Sequence, residues 1–261
     1  MTDSFRGTSV RQPLTRDDRL ALATSLTLDP LDAIRDGILR GVAHALSNRV
    51  AALSGVAGLV DFGNLPLNRL SLALGSEVSQ LGQLVEMVRL LPSDARPRGE
   101  AIELRTLLPA VVALHALHAD LRDVACTVQD DRNAQPVHLG RSVFVHAVLL
   151  LVDVAKRDAL RGRGSVLLSY RGDSTWVTVA VESLGGVTLP TGGGSADEER
   201  ELRRGLAAAV AQLDPSLIVD VKPRSERPGN GLRLELRLPT LLEVRRREHE
   251  TASESQPSDV R

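Results

Sequence analysis

The stretch IRDGILRGVAHALSNRVAALSGVAGLV, residues 34–60, decides how the chain is organised. An α-helix turns by roughly 100° per residue, so residues spaced three and four apart share one face. One such face carries only apolar residues, namely Val42, Leu46, Val50, Leu53, Ala57 and Val60. The pattern predicts a long helix, from the start signal Asp29-Pro30 to about Asp61, with this stripe facing a core.

A second face of the same helix, about half a turn away, is made of small residues around one imidazole and one carboxamide. Its members are Gly37, Gly41, His44, Asn48, Ala51 and Gly55. Each helical glycine costs about 1 kcal/mol relative to alanine, so three of them suggest that something approaches the backbone closely. The pattern fits a docking surface around a reactive His44. It fits equally well a tight helix crossing with His44 at its edge.

The run His44-Ala45-Leu46-Ser47-Asn48-Arg49-Val50-Ala51-Ala52-Leu53 resembles the H-box of bacterial two-component histidine kinases. The resemblance implies that His44 is a phospho-acceptor. Asn48 would then orient an attacking water or the phosphoryl group, and Arg49 would offset the phosphoryl charge, although both could simply solvate the helix surface. The candidate contacts for a protein partner are Gly41, Ala45, Ala51 and Gly55.

One position departs from the H-box pattern. The family has an acidic residue directly after the histidine, which acts as the base in ATP-dependent autophosphorylation, and here that residue is Ala45. A response-regulator receiver domain brings its own phosphoryl-aspartate and metal ion, so transfer from a receiver requires only an exposed imidazole. Ala45 therefore favours phosphotransfer over autophosphorylation.

Composition limits the class of protein. The chain has 261 residues, 43% hydrophobic and 25% charged, which suffices for one large or two small domains. A net charge of -1 gives no electrostatic case for binding nucleic acid or a membrane surface.

The single cysteine, Cys126, excludes internal disulfides and is expected to be a small buried side chain. Because no run of about 18 apolar residues is present, we expect a cytoplasmic protein.

Residues 29–91 are predicted to form a helical hairpin. A turn rich in Gly, Asn and Pro leads into a second helix at about 67–91, which has an apolar stripe of its own: Leu70, Leu74, Val78, Leu81, Val85 and Val88. A single hairpin buries only part of these two apolar stripes. We therefore expect the hairpin to pair with that of a second copy of the chain in a four-helix bundle. The resemblance implies the same arrangement, the dimerisation and phosphotransfer domain of histidine kinases.

A linker at 92–100 is predicted to separate this hairpin from a second domain at 101–241. Helices are expected at about 106–121, 142–160 and 198–213. Strands are expected at about 101–104, 124–129, 165–170, 175–182, 217–221 and 232–238. This order predicts an α+β fold in which a mostly antiparallel sheet carries three helices as a two-layer α/β sandwich. Residues 1–28 and 242–261 are polar and are expected to be poorly ordered.

The order of elements after residue 100 resembles the ATP-binding domain of histidine kinases, but the nucleotide motifs are missing. Val154 stands where the family has a magnesium-binding Asn, and Ser183 lies where an adenine-recognising Asp-x-Gly-x-Gly motif is expected. Gly192-Gly193-Gly194 could receive an anion at a helix N-terminus, although three consecutive glycines are more typical of a plain loop. The chain therefore resembles ChpT-type histidine phosphotransferases, which keep the kinase architecture without a nucleotide site.

The expectation is a histidine phosphotransferase of a bacterial phosphorelay that passes phosphoryl groups between His44 and receiver aspartates. Its partners would be response-regulator receiver domains and a second copy of the chain. It would need no cofactor or metal of its own, because the receiver supplies magnesium. Two alternatives stay open: a non-catalytic pseudokinase scaffold that binds receivers or a partner kinase, and an atypical active histidine kinase.

A pair of histidines raises one further possibility. His115 and His118 are spaced i, i+3 on a predicted helix, with Asp120 nearby, and could share a metal ion. Without a third ligand at a fixed spacing, such a pair is more typical of a surface. We therefore expect two surface histidines and no metal site.

Overall fold

The computed structural model describes residues 30–61, 67–91, 99–130, 134–161, 163–185, 195–222 and 231–254. The predicted N-terminal segment, most of the linker, the glycine triplet and residues 255–261 lie outside these ranges. The described chain starts with two helices, α1 (Pro30–Asp61) and α2 (Leu67–Arg89). α1 thus starts at the proline that the sequence analysis identifies as a start signal. None of the described helices is long and apolar enough to cross a membrane.

α1 and α2 pack against each other, and Arg49 Nη1 of α1 lies 3.3 Å from Glu77 Oε2 of α2. The N-terminal half of α1 is buried in the main core through Ile34, Ile38 and Val42. Beyond this point much of the two predicted apolar stripes is uncovered in the single chain. The exposed members are Leu46, Val50, Ala57, Leu74, Val78 and Val85.

A sheet domain follows the two helices. Its elements are β1 (Gly99–Ile102), α3 (Leu104–His115), β2 (Cys126–Gln129), β3 (Val137–Gly140), α4 (Arg141–Arg161), β4 (Ser165–Gly172), β5 (Trp176–Leu184), α5 (Ser195–Leu213), β6 (Ile218–Lys222), β7 (Arg233–Pro239) and α6 (Leu241–Glu254). Five strands form one sheet in the order β2-β4-β5-β7-β6, with β2 parallel to β4 and the other pairs antiparallel. β1 and β3 form a separate antiparallel pair. The chain therefore has a helical N-terminal part and a mixed α/β domain.

The five-stranded sheet buries one face beneath helices. In β4, alternate residues Val166, Leu168 and Tyr170 are buried, as expected of a strand with one face on a core. α4 packs against β4 and β5, α5 packs against β6, and α4 also contacts α1 and α3. Residues 147–156 of α4 are accordingly buried without interruption, which explains why this helix lacks the polar stripe of a surface helix.

Several elements differ from the predictions. α3 ends at His115 rather than near Leu121, because the following residues turn toward α1, where the Ala119 N–H donates to the Gly37 carbonyl at 3.0 Å. β1 begins at Gly99, inside the predicted linker. β3 lies where no strand was predicted, and it pairs with β1.

The C-terminal prediction is wrong for residues 242–254, which belong to helix α6 rather than to a disordered tail. Glu243 is buried and bonds to Arg246 and Arg247 one turn on. The guanidinium of Arg247 also stacks over the Trp176 ring of β5, at 4.9 Å from its centroid. The ion pairs within α6 and its contact with Trp176 of the sheet account for a helix in so charged a segment.

Two glycines of α1 determine how closely the sheet domain approaches it. A Cβ atom on Gly41 would lie 1.5 Å from the carbonyl oxygen of Leu117, and one on Gly37 would lie 2.0 Å from Nε2 of His118. Both separations are far below contact distance, so a side chain at either position is incompatible with this packing. Close packing, the second explanation of the small-residue face, therefore holds at Gly37 and Gly41.

We expect Gly41→Ala to destabilise the protein by about 1–3 kcal/mol, because the new methyl group overlaps the backbone of Leu117. Gly55→Ala on the same helix is the matched control. Its new Cβ would meet nothing within 4 Å, so it should stabilise by about 1 kcal/mol through helix propensity. Denaturant unfolding of both variants measures the difference, and equal stability of the two would contradict the docking of α1.

Candidate functional site

His44 lies in the middle of α1 with its imidazole exposed to solvent. Asn48, one helical turn further on, places its Nδ2 3.3 Å from His44 Nε2. An amide NH₂ group can only donate a hydrogen bond, so this contact matches the tautomer with the ring proton on Nδ1 and a lone pair on Nε2. In that tautomer the Nε2 lone pair accepts the Asn48 N–H, and the contact holds the imidazole in place.

A groove of about 450 Å³ runs beside His44, between α1 and the segment 116–122. From α1 it is lined by Gly41, His44, Ala45, Asn48 and Arg49. The opposite wall consists of Ala116, Leu117, Ala119 and Arg122. Among the described residues that line the groove, none is acidic and two carry guanidinium groups. The groove is therefore suited to an anion beside the imidazole.

Arg49 lines the groove but already has a partner across the hairpin. Its Nη1 lies 3.3 Å and 3.5 Å from the two carboxylate oxygens of Glu77, whose side chain is largely buried. The guanidinium has five N–H donors, so this pair leaves some of them available to a ligand. The structure thus gives Arg49 a structural contact in addition to its predicted position beside His44.

The predicted partner-contact residues fall into two groups. Ala51 and Gly55 are exposed on α1, and nothing lies within 4 Å of a Cβ placed on Gly55. Gly41 instead packs against Leu117 of the same chain, and Ala45 is half-buried between two neighbouring grooves. The C-terminal half of the small-residue face is thus the part that leaves backbone accessible to another protein.

Sequence reasoning did not identify the second wall of the groove. Leu117 and Arg122 lie far from His44 in the chain, in a segment predicted to continue helix α3. Neither carries a motif, and a lone arginine beside an aspartate gives no signal. Only the turn after His115 brings them to α1.

The polar groups at the position of the missing adenine motif bond to one another. The Ser183 hydroxyl donates to Asp158 Oδ2 at 2.6 Å and accepts the Leu232 N–H at 2.8 Å. A Cβ on Gly231 would lie 1.8 Å from the Ser183 carbonyl oxygen, so the chain closes tightly here. Val154 is a buried apolar side chain of α4. The Ser183 hydroxyl therefore has its hydrogen-bond partners within the chain.

The prediction that His115 and His118 are surface residues is wrong. Both side chains are buried where α3 meets α4, and their rings stack with centroids 5.5 Å apart. Their Nε2 atoms lie 3.5 Å and 3.9 Å from Oδ1 of Asp153, which is itself bound by Arg157 at 2.6 Å. The two rings do lie side by side, but His118 follows the end of α3, and both histidines are covered by α4 and α1 rather than exposed.

Burial lowers the pKa of His115, against the opposing effect of the Asp153 carboxylate. Burial likewise lowers the pKa of His118, whose Nδ1 accepts the Asp120 N–H at 3.2 Å. Burial also lowers the pKa of Lys156, and its ammonium donates to the Leu121 carbonyl at 3.3 Å. Both histidines are therefore neutral at neutral pH. Together with Asp153 and Lys156 they form a buried polar layer.

Other candidate sites offer little reactive chemistry. Burial raises the pKa of the Cys126 thiol to about 11, so the nucleophilic thiolate is scarce at neutral pH. Within the described ranges, no group of three or more His, Cys, Asp or Glu side chains is arranged to hold a metal ion. His44 and its groove are accordingly the leading candidate site.

Several solved structures that this chain resembles are histidine kinases, whereas no family model and no curated protein matches the sequence. The Acinetobacter baumannii histidine kinase AdeS is 18% identical, over 76% of this chain and 98% of its own, with a TM-score of 0.41. A histidine kinase from Burkholderia phymatum is 17% identical, over 87% and 99%, with a TM-score of 0.40. The catalytic domain of the histidine kinase ThkA is 15% identical, over 55% and 97%, with a TM-score of 0.43. Structural similarity at these identities and TM-scores assigns no role to His44.

We expect the free energy of unfolding to decrease as the pH falls below about 6.5, the ordinary pKa of histidine. The unfolded chain takes up protons at His115 and His118 in that range, whereas the folded chain, with lowered pKa values, does not. Replacing both by glutamine should flatten this part of the stability profile. The control His249→Gln, on the exposed side of α6, should leave it unchanged. An equally steep profile in the double variant would contradict burial of neutral histidines.

Proposed function

We propose that the protein is a histidine phosphotransferase of a bacterial two-component phosphorelay, exchanging phosphoryl groups between His44 and aspartates of response-regulator receiver domains. The observation that carries the proposal is the exposed imidazole of His44, whose Nε2 lies 3.3 Å from the Asn48 amide nitrogen, beside a groove lined by Arg49 and Arg122. The resemblance of residues 44–53 to the H-box supports the same role.

The transfer step requires little of the protein beyond an oriented imidazole. The Asn48 N–H first releases Nε2 of His44, whose lone pair then attacks the phosphorus of the receiver's aspartyl phosphate; the P–O bond to the aspartate breaks, and the carboxylate leaves. Once Nε2 carries the phosphoryl group, the Asn48 amide that donated to it lies next to the phosphoryl oxygens and donates to them instead. The reverse step regenerates the aspartyl phosphate and the free imidazole.

Three features support transfer from receivers rather than from ATP. Ala45 places a methyl group where autophosphorylation requires a carboxylate. Val154 cannot bind magnesium, and Ser183 is bonded to Asp158 and the backbone of Leu232. A nucleotide could form its usual contacts here only by breaking those bonds.

The exposed apolar surface of the hairpin supports a homodimer. Val50 and Val78 are 60% and 63% exposed in the single chain, although both belong to stripes at helical spacing. Burying such stripes against a second copy gives a four-helix bundle. His44 lies on the other face of α1 and stays accessible in that bundle.

The test compares radiolabelled ATP with radiolabelled phospho-receivers as donors to the purified protein. We expect label from receivers and none from ATP. His44→Gln should abolish labelling because glutamine lacks a nucleophilic nitrogen, while His249→Gln, an exposed histidine on α6, should be labelled as the wild type is. Unfolding curves verify that both variants are folded.

Each alternative has its own result in this assay. Label from ATP would identify an atypical active kinase, and label that persists in His44→Gln would place the acceptor elsewhere. If no donor labels the protein and receiver binding is unaffected by His44→Ala, the chain is a scaffold.

Val78→Asp tests the dimer. In a four-helix bundle the new carboxylate would be buried without a partner, so the variant should sediment as a monomer. Leu72→Asp is the matched control, since Leu72 is 74% exposed and lies outside the predicted stripe of α2. Sedimentation of both variants as the wild-type species would contradict this interface.

A further inference from the structure

The segment after α3 is held rigidly against α1. The Ala119 N–H bonds to the Gly37 carbonyl at 3.0 Å, and the Leu117 carbonyl fills the space that a Cβ of Gly41 would need. From α4, the buried Lys156 ammonium donates a hydrogen bond to the Leu121 carbonyl at 3.3 Å. The residue that follows Leu121 therefore projects from a backbone that is fixed on both sides.

That residue is Arg122, and it lines the His44 groove from the wall opposite α1. Gly37, Gly41 and His44 lie on one face of α1, so the contact that docks the segment also determines which side chain faces His44. The sheet domain thereby contributes one wall, and one positive charge, to the surroundings of the imidazole.

Of the two arginines in the groove, Arg122 is the more available to an anion. Arg49 is bonded to both carboxylate oxygens of the largely buried Glu77. Among the described residues, Arg122 forms an ion pair with its neighbour Asp123, with Nε 3.8 Å from Oδ1, and the two side chains are 56% and 92% exposed. An exposed pair of this length contributes little and is readily exchanged for a stronger partner.

We propose that Arg122 binds the phosphoryl group on His44, so that the phosphotransfer site is shared between the hairpin and the sheet domain. This inference rests on the proposed function. During transfer, negative charge is spread over the three non-bridging phosphoryl oxygens, and a guanidinium fork donates two N–H groups to such oxygens. The sheet domain then serves the reaction directly, in place of its missing nucleotide chemistry.

Phosphoramidate tests Arg122 without any protein partner. The Nε2 lone pair attacks phosphorus, the P–N bond of phosphoramidate breaks, and ammonia leaves. With the full-length chain we expect Arg122→Ala to form phosphohistidine roughly 10-fold more slowly, as the loss of one charge-assisted contact implies. Arg122→Lys should recover part of the rate, because it restores the charge without the fork.

Two controls distinguish anion binding from a structural effect. Arg171→Ala removes an exposed arginine on β4, outside this groove, and should react as the wild type does. Inorganic sulfate should compete with phosphoramidate in the wild type and do so less in Arg122→Ala. If sulfate inhibits the wild type and Arg122→Ala equally, or if Arg122→Ala reacts at the wild-type rate, the proposed role of Arg122 is wrong.

The same assay separates this inference from the function on which it rests. Labelling of the wild type at His44 with no effect of Arg122→Ala overturns only the shared site. Labelling that His44→Gln does not abolish overturns the phosphotransferase function, and the shared site with it.

Discussion

The approach of residues 116–121 to the glycine face of α1 is the contact on which the rest of the structure depends. It is possible because Gly37 and Gly41 have no side chains where the Leu117 carbonyl and the His118 ring lie. Alongside it, Ile34 and Ile38 extend the hydrophobic core of the sheet domain into the hairpin. The helix that carries the candidate nucleophile is therefore also part of the core, and its orientation relative to the sheet is set by packing.

Beneath that contact lies a layer of buried titratable groups. Burying a charge without a partner costs several kcal/mol, so such groups are either neutral or paired. His115 and His118 are neutral, as the lowered pKa values require, and Asp153 is paired with Arg157. The layer thus carries no unpaired charge at the histidines or Asp153 at neutral pH, and the free energy of unfolding decreases as acid protonates the two histidines in the unfolded chain.

On the proposed function, the relation between the two parts of the molecule gives the sheet domain a role in which no nucleotide takes part. At the position of the adenine motif, Ser183 and Asp158 bond to each other, and the chain closes at Gly231. At the other end, the segment after α3 supplies the wall opposite His44. On the proposed function, the sheet domain supports this wall of the groove.

The sequence by itself determined the features that repeat with a local period. The helix carrying His44 and the alternating strands follow from spacings of two, three or four residues, and the H-box run made His44 a candidate phospho-acceptor from the sequence alone. Tertiary structure decided which faces meet. Gly41 packs within the chain rather than being left open to a partner, His115 and His118 are buried, Arg122 joins the groove, and α6 is ordered by Trp176. Each of these depends on residues far apart in the chain, and a local pattern shows that a face exists but not what covers it.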